Sequence, residues 1–141
     1  MAITYSEAPD IKELAEKIVV RLKKFSHVDL NHLHYFRSKG SRSRRTVARI
    51  YGLNKIWQQA LGTNCSYVIE VISERYDRLD QTEKEKILIH ELLHIPKGFL
   101  GGFRPHKGFI NQHIINALHQ TFKSQQETPM ATIMKSKSPV R

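Results

Sequence analysis

Two segments of the chain carry apolar residues at every third or fourth position, which is the period of an amphipathic helix. The first predicts a helix over residues 10–25, with Asp10 as its N-cap. The second predicts a helix over residues 107–123. The apolar positions that define the two stripes are Ile11, Leu14, Ile18 and Leu22, and then Ile110, Ile114, Ile115, Leu118 and Phe122.

Between these helices the apolar residues form short runs bounded by turn residues, a pattern typical of β-strands. The clearest strand covers residues 66–72, which are rich in valine, isoleucine and tyrosine. Further strands are predicted over residues 29–37 and 46–51. Residues 55–61 fit either a short helix or another strand, with Trp57 in the core.

A third helical pattern follows the last strand. Thr82 is its predicted N-cap, Glu85 completes a capping box, and Pro96 ends it because proline holds the preceding residue in an extended conformation. Its apolar run is Ile87, Leu88, Ile89, Leu92 and Leu93. The predicted elements are therefore an N-terminal helix, a short, mainly antiparallel sheet, this buried helix and a C-terminal helix.

The third helix contains the pattern His-Glu-x-x-His at His90, Glu91 and His94. Four residues of helix bring the two imidazoles to the same face, about one turn apart. Two such imidazoles can bind one zinc ion, and the glutamate can hold and deprotonate a water molecule beside it. The alternative is a helix whose histidines are satisfied by hydrogen bonds alone.

A catalytic zinc usually takes three protein ligands and leaves a fourth position open. Residues 95–106 contain three glycines and two prolines, which predicts a loop that can turn the chain back toward the metal. His106 is the first histidine after this loop and is the predicted third ligand. His113, on the next helix, is the alternative, and His119 is predicted to be a partly exposed helix residue.

Residues 90–96 and 101–106 resemble the small metallopeptidases found in phages and archaea, and are more distantly similar to SprT-like zinc proteases. The likeness covers roughly residues 28–122, and Phe109 matches an aromatic that follows the last histidine. The resemblance implies a compact, zincin-like α+β fold and a Zn²⁺ cofactor. It implies as zinc ligands His90, His94 and His106, and as general base Glu91.

The sequence therefore predicts a zinc-dependent endopeptidase that acts on a peptide or protein substrate. Arg104 and Tyr67 are both possible donors to the oxyanion of the transition state. Residues 66–73 are a candidate substrate-binding strand at the edge of the cleft. The carboxylates of residues 73–81 either orient a ligand imidazole or belong to an exposed connection.

Composition limits the class of protein. The chain has 141 residues, and a single domain over residues 1–123 with a flexible basic tail over 124–141 is expected. Cys65 is the one cysteine, which excludes an internal disulfide and a cysteine-rich zinc ribbon. No apolar signal core or membrane-spanning run is visible, so a soluble, cytoplasmic protein is expected.

The net charge of +10 indicates an acidic partner. Glycine and serine alternate with basic residues over 38–45, as in a flexible loop. This loop is a candidate DNA- or RNA-binding site through phosphate contacts, or else a solvated hairpin loop. The candidate phosphate-binding residues are Arg37, Lys39, Arg42, Arg44 and Arg45.

Two other readings of the site remain. In the first, the protein is a nucleic-acid-associated binding module with a structural zinc whose fourth ligand is His113 or Cys65. In the second, it is a metal-dependent hydrolase of nucleic acid. Metal binding by His32 and His34, which share a face of the predicted strand 29–37, is a minor option beside two solvent-facing histidines.

Overall fold

The computed structural model describes residues 2–126, which form an α+β fold of four strands and five helices. The strands are β1 (Thr4–Glu7), β2 (Leu33–Lys39), β3 (Ala48–Gly52) and β4 (Tyr67–Ile72). The helices are α1 (Pro9–Arg21), α2 (Lys55–Leu61), α3 (Ser73–Tyr76), α4 (Gln81–Leu93) and α5 (Gln112–Gln126). The predicted α+β class is confirmed, and the arrangement is compatible with a small zincin-like fold.

The four strands form one mixed sheet in the order β1-β2-β4-β3. The two outer pairings, β1 with β2 and β3 with β4, are antiparallel, whereas the central pairing of β2 with β4 is parallel. Because β4 has a partner on each side, the prediction that residues 66–73 bind substrate at a sheet edge is wrong. The free edge on that side of the sheet belongs to β3.

The core lies between one face of the sheet and the helices. Alternate strand residues share a face, so Tyr67, Ile69 and Val71 of β4 all point into the core and are completely buried. Helices α1 and α4 cover this face, and full burial of each large apolar side chain contributes roughly 1.5–3 kcal/mol. The helix residues that pack here include Ile11, Ala15, Ile18, Leu88, Ile89 and Leu92.

Two helix starts differ from the predicted ones. Helix α1 begins at Pro9, so its N-cap is Ala8, which has no side-chain acceptor, and the predicted cap Asp10 lies in the first turn and accepts a hydrogen bond from Arg37. Helix α4 begins at Gln81 and its N-cap is Asp80, whose carboxylate accepts from the Glu83 N–H at 2.8 Å. Because this aspartate, two residues before Thr82, accepts a hydrogen bond from a free N–H of the first turn, the predicted capping box at Thr82 is wrong.

Several element boundaries also move. Strand β2 begins at Leu33, after a 3-10 turn at Leu30–His32, so His32 does not share a strand face with His34. Residues 55–61 are a helix, and Trp57 is 55% exposed rather than in the core. Sequence patterns missed β1 and α3, both only four residues long.

Helix α5 starts at Gln112, five residues later than predicted, and the Asn111 side chain caps it by accepting from the Ile114 N–H at 2.9 Å. It continues to Gln126, so residues 124–126 of the predicted tail are helical. The rest of that tail, residues 127–141, lies outside the described residues. Within residues 2–126, no helix has the length and apolar character needed to cross a membrane.

Candidate metal centre

Helix α4 presents two different faces. Its apolar side packs in the core, whereas Glu91 in its last turn and His94 at its C-cap line a cleft, and His90 lies one turn before His94. The His90 and His94 rings are half-buried and their centroids lie 5.2 Å apart, as expected for residues one turn apart on one face. The local helical period therefore brings the two imidazoles together without help from the rest of the fold.

The loop that follows α4 is attached to the sheet. The Tyr67 hydroxyl accepts a hydrogen bond from the Gly101 N–H at 2.9 Å and donates to the Gly102 carbonyl at 2.8 Å. Gly52 of β3 packs so closely against this loop that an added Cβ would lie 2.6 Å from the Gly101 carbonyl oxygen. These contacts return the chain to α4 at the correct position for His106.

His94 and Arg104 bind each other in both directions. The Arg104 N–H donates to the His94 carbonyl at 2.7 Å, and the His94 Nδ1–H donates to the Arg104 carbonyl at 2.8 Å. A carbonyl only accepts, so Nδ1 of His94 carries the proton and Nε2 keeps its lone pair free. Metal-binding histidines are commonly held in this tautomer by such a second hydrogen bond.

Three imidazoles converge at this place. One nitrogen from each of His90, His94 and His106 lies within 4.8 Å of the others, and the Nε2 atoms of His90 and His106 are 3.1 Å apart. Ligand nitrogens around a tetrahedral zinc with bonds of about 2.0–2.1 Å are separated by ~3.3 Å. The three residues therefore fit a metal ion and could hold one.

The electrostatics of the site favour ligand chemistry. Burial, together with the neighbouring His94 and His106, lowers the pKa of His90 to about 4, which keeps its imidazole neutral and able to bind a metal. Burial raises the pKa of Glu91 to about 7, because a charged carboxylate loses hydration in the cleft wall. No hydrogen-bond partner engages the Glu91 carboxylate among the residues that the structure describes.

The centre opens into a cleft of about 370 Å³. Glu91, His94, Arg104 and His106 line it together with three residues that the sequence did not single out: Ile50, Phe103 and Pro105. Ile50 lies in the middle of β3, so the free edge of the sheet borders the cleft. A strand was predicted at Ile50, but strand order depends on pairings between distant segments and is not visible in a local pattern.

The other predicted metal-binding residues lie elsewhere. His113 is exposed on α5, Cys65 is buried, and neither belongs to the group formed by the three imidazoles. His119 is only 7% exposed, and its Nε2 lies 2.7 Å from Oε1 of Glu85 on α4. The prediction of a partly exposed His119 is therefore wrong, because packing of α5 on α4 buries it beside a carboxylate.

The carboxylates of residues 73–81 do not orient the imidazoles. Asp80 caps α4, Asp77 binds Arg37 at 2.7 Å, and Glu74 accepts from the Gly40 N–H at 2.8 Å. Tyr67 is excluded as an oxyanion donor, because its buried hydroxyl is already used by the loop. Arg104 remains, with its guanidinium 5.5 Å from the centre of the Phe109 ring.

The predicted phosphate-binding residues divide into two groups. Arg37 is paired with Asp10 and Asp77 and links β2 to two helical segments, so its charge is already engaged by carboxylates, and phosphate binding by this residue stays a prediction. The other four residues are exposed, and the loop that carries three of them is not a hairpin, because β4 lies between β2 and β3. These four are Lys39, Arg42, Arg44 and Arg45.

Comparison with known proteins agrees with the geometry. The model of a family described as "Putative phage metallopeptidase" matches residues 3–133, and the chain belongs to this family. No curated protein and no solved structure gives a significant match. The family description indicates a metal-dependent peptidase, and the three converging histidines are the group that could bind the metal.

Proposed function

We propose that this member of the phage metallopeptidase family is a zinc-dependent endopeptidase. The observation that carries the proposal is the convergence of His90, His94 and His106 at a cleft whose wall contains the Glu91 carboxylate. The peptidase class follows from the family, whereas zinc, the endopeptidase activity and the roles of the residues are inferred from the chemistry of this site.

Zinc is the metal that suits the donor set. Three neutral imidazole nitrogens form the protein part of many catalytic zinc sites, and a fourth position stays open for water or substrate. A structural zinc requires a fourth protein ligand, and the group within residues 2–126 contains three. This count favours a catalytic site over the alternative in which His113 or Cys65 closes it.

Zinc held by His90, His94 and His106 would supply Lewis acidity toward a water molecule and toward the scissile carbonyl. Glu91 takes a proton from the attacking water while the new C–O bond forms. It then gives that proton to the amine nitrogen as the C–N bond breaks. Arg104 lines the same cleft, and its guanidinium is the donor we assign to the developing oxyanion.

The edge of β3 offers a place for the substrate backbone. The Val47 carbonyl accepts from the Ile72 N–H and the Leu53 N–H donates to the Ser66 carbonyl, so these residues face β4. Backbone groups alternate in direction along an antiparallel strand, and those of Ala48 and Ile50 therefore point away from β4. An extended peptide that pairs there would pass directly over the cleft.

The test is zinc content and hydrolysis measured on the same preparations. Wild-type protein and the variants His106→Ala and His113→Ala are purified with zinc, and each is incubated with a mixture of random decapeptides. We expect one zinc per chain and internal cleavage by the wild type and by His113→Ala. We expect His106→Ala to lose both zinc and cleavage, since two ligands remain.

Two results would contradict the proposal. Full zinc content in His106→Ala would remove that residue from the ligand set. Stoichiometric zinc in the wild type without cleavage of any decapeptide would leave a metal-binding protein without endopeptidase activity. Mass spectrometry of the products separates internal cleavage from removal of terminal residues.

A further inference from the structure

The start of β3 is positively charged. Arg42, Arg44 and Arg45 are exposed in the loop before this strand, and no carboxylate within residues 2–126 lies at ion-pair distance from them. We call these three residues the basic cluster. Fully extended chain covers at most about 3.6 Å per residue, so Arg45 lies within roughly 18 Å of Ile50 in the cleft.

The loop that carries the basic cluster is held in place. The Arg75 Nε–H donates to the Ser43 carbonyl at 2.9 Å, and the Gly40 N–H donates to the Glu74 carboxylate. The Val47 carbonyl then joins the sheet at Ile72. The positive charges are therefore presented at a defined position, before the start of β3, the strand that borders the metal centre.

The end of β3 leads to an apolar surface. Helix α2 follows the strand after two residues and has no buried residue, although it contains isoleucine, tryptophan and leucine. Trp57 and Leu61 lie one turn apart and are 55% and 60% exposed. Large side chains that remain uncovered in a group mark an interaction surface more often than isolated ones do.

A hydrogen bond joins α2 to the loop that borders the cleft. The Gln58 amide donates to the Leu100 carbonyl at 3.1 Å and so links the helix to the loop after α4. Leu100 is 59% exposed, and Phe103 of the same loop is 46% exposed and lines the cleft. We call Trp57, Leu61, Leu100 and Phe103 the apolar patch.

We infer that the preferred substrate is an extended polypeptide with acidic residues on one side of the cleaved bond and a bulky apolar residue on the other. This inference rests on the proposed function, because it places the substrate along β3. A peptide on that edge crosses the cleft at Ile50, reaches the basic cluster at one end and contacts the apolar patch at the other. The acidic residues of the substrate complement the charge of the basic cluster, and its apolar residue removes the apolar patch from water.

Binding is measured without cleavage by means of Trp57, the single tryptophan of the chain. Zinc-loaded Glu91→Gln protein is titrated with peptides of about ten residues in which a glutamate block and a leucine pair flank a neutral centre, in both orders. Matched peptides carry lysine instead of glutamate. We expect one glutamate peptide to change Trp57 fluorescence and to bind at least tenfold more tightly than its lysine counterpart.

Charge reversal provides the control for folding. The variant Arg42→Glu, Arg44→Glu, Arg45→Glu in the same background is expected to bind the lysine peptide more tightly than the glutamate peptide. A misfolded variant would bind neither. The variant Leu61→Ser, Leu100→Ser retains Trp57 and is expected to weaken binding of the leucine-containing peptide at least fivefold, with no effect on a peptide that has serine in place of leucine.

The outcomes separate this inference from the proposed function. Equal affinity for glutamate and lysine peptides, or no binding of either, overturns the inference. The inference is also overturned if binding of a DNA oligonucleotide is lost in the charge-reversal variant while peptide affinity is unchanged. That result would make the basic cluster a phosphate-binding surface. Selective binding of peptides that zinc-loaded wild type never cleaves overturns the peptidase proposal and leaves the binding preference.

Discussion

Helix α4 contributes to two histidine sites that differ in burial and in hydrogen-bond partners. Near its start, Oε1 of the buried Glu85 carboxylate lies 2.7 Å from Nε2 of His119, and Oε2 accepts a hydrogen bond from the Gln81 amide at 3.1 Å. Near its end, His90 and His94 converge with His106 beside an open cleft, and the neighbouring Glu91 carboxylate has no hydrogen-bond partner among the described residues. One site is complete within the protein, whereas the other is complete only with something added.

This difference separates a structural pair from a candidate metal site. A buried polar group must find its partners within the fold, because an unsatisfied one costs free energy. The His119–Glu85 pair satisfies this requirement and links α5 to α4. The three imidazoles present nitrogen atoms to one another, which is unfavourable unless a proton or a metal ion lies between them.

The largest effect that tests this comparison is on catalysis. Glu91→Gln is expected to reduce kcat/KM by ~10²–10⁴-fold, because a neutral amide does not accept the proton of the attacking water. Zinc content is expected to remain unchanged, since Glu91 is not a ligand in this scheme. Steady-state kinetics on a cleaved decapeptide measures the effect.

The exposed Glu83 in the first turn of α4 provides the matched control, and Glu83→Gln should retain wild-type rates. Retention of activity by Glu91→Gln would remove the general base from the mechanism.

The next largest effect is on the free energy of unfolding and concerns the buried pair of Glu85 and His119. His119→Ala leaves the Glu85 carboxylate buried without its closest partner, and is expected to lower the free energy of unfolding by about 3 kcal/mol. Denaturant titration of the zinc-free protein measures the change. His113→Ala on the exposed side of the same helix should differ from wild type by less than about 0.5 kcal/mol.

If His119→Ala instead removed zinc at unchanged stability, the two sites would be coupled and the distinction between them would fail.

The third effect is the change in stability on metal removal from the site formed by His90, His94 and His106. Zinc at a hundredfold excess over its Kd stabilises the folded state by about 2.7 kcal/mol when it binds only that state. We expect this gain in the wild type and its loss in His94→Ala. Thermal unfolding with and without a chelator measures it, and an equal gain in both proteins would indicate that zinc binds elsewhere.

The smallest effect comes from an exposed ion pair. The hydrogen bond from Arg37 lowers the pKa of Asp10 below its ordinary value of 3.8. A lowered folded-state pKa contributes stability above pH 3.8, and this contribution is lost as the pH falls through the lowered value. Because Asp10 is 60% exposed and screened by solvent, the contribution is limited to about 1 kcal/mol.

Asp10→Asn should therefore be slightly less stable than wild type at pH 6, and the difference should narrow below pH 4. Urea unfolding at both pH values measures it. A difference that grows on acidification would contradict the assigned role of Asp10.

Local chemistry made much of the site predictable. The existence of α4, the facing positions of His90 and His94 and the adjacent Glu91 follow from a period of 3.6 residues and one stop signal at Pro96, although the helix starts at Gln81 and not after Thr82. His106 was predicted from a glycine-rich loop that can reverse the chain, and the structure brings it beside the other two imidazoles. These features depend on residues close together in the sequence.

The sequence alone determined the α+β class, the helix with its metal-binding pattern and the loop that returns to it. The tertiary structure alone decided that β3, not β4, forms the edge at the cleft, that Arg37 is neutralised by two carboxylates, and that His119 is buried. Each of these depends on segments more than 25 residues apart. Periodicity reports which face of an element is apolar, but the partner of that element is chosen by the packing of the whole chain.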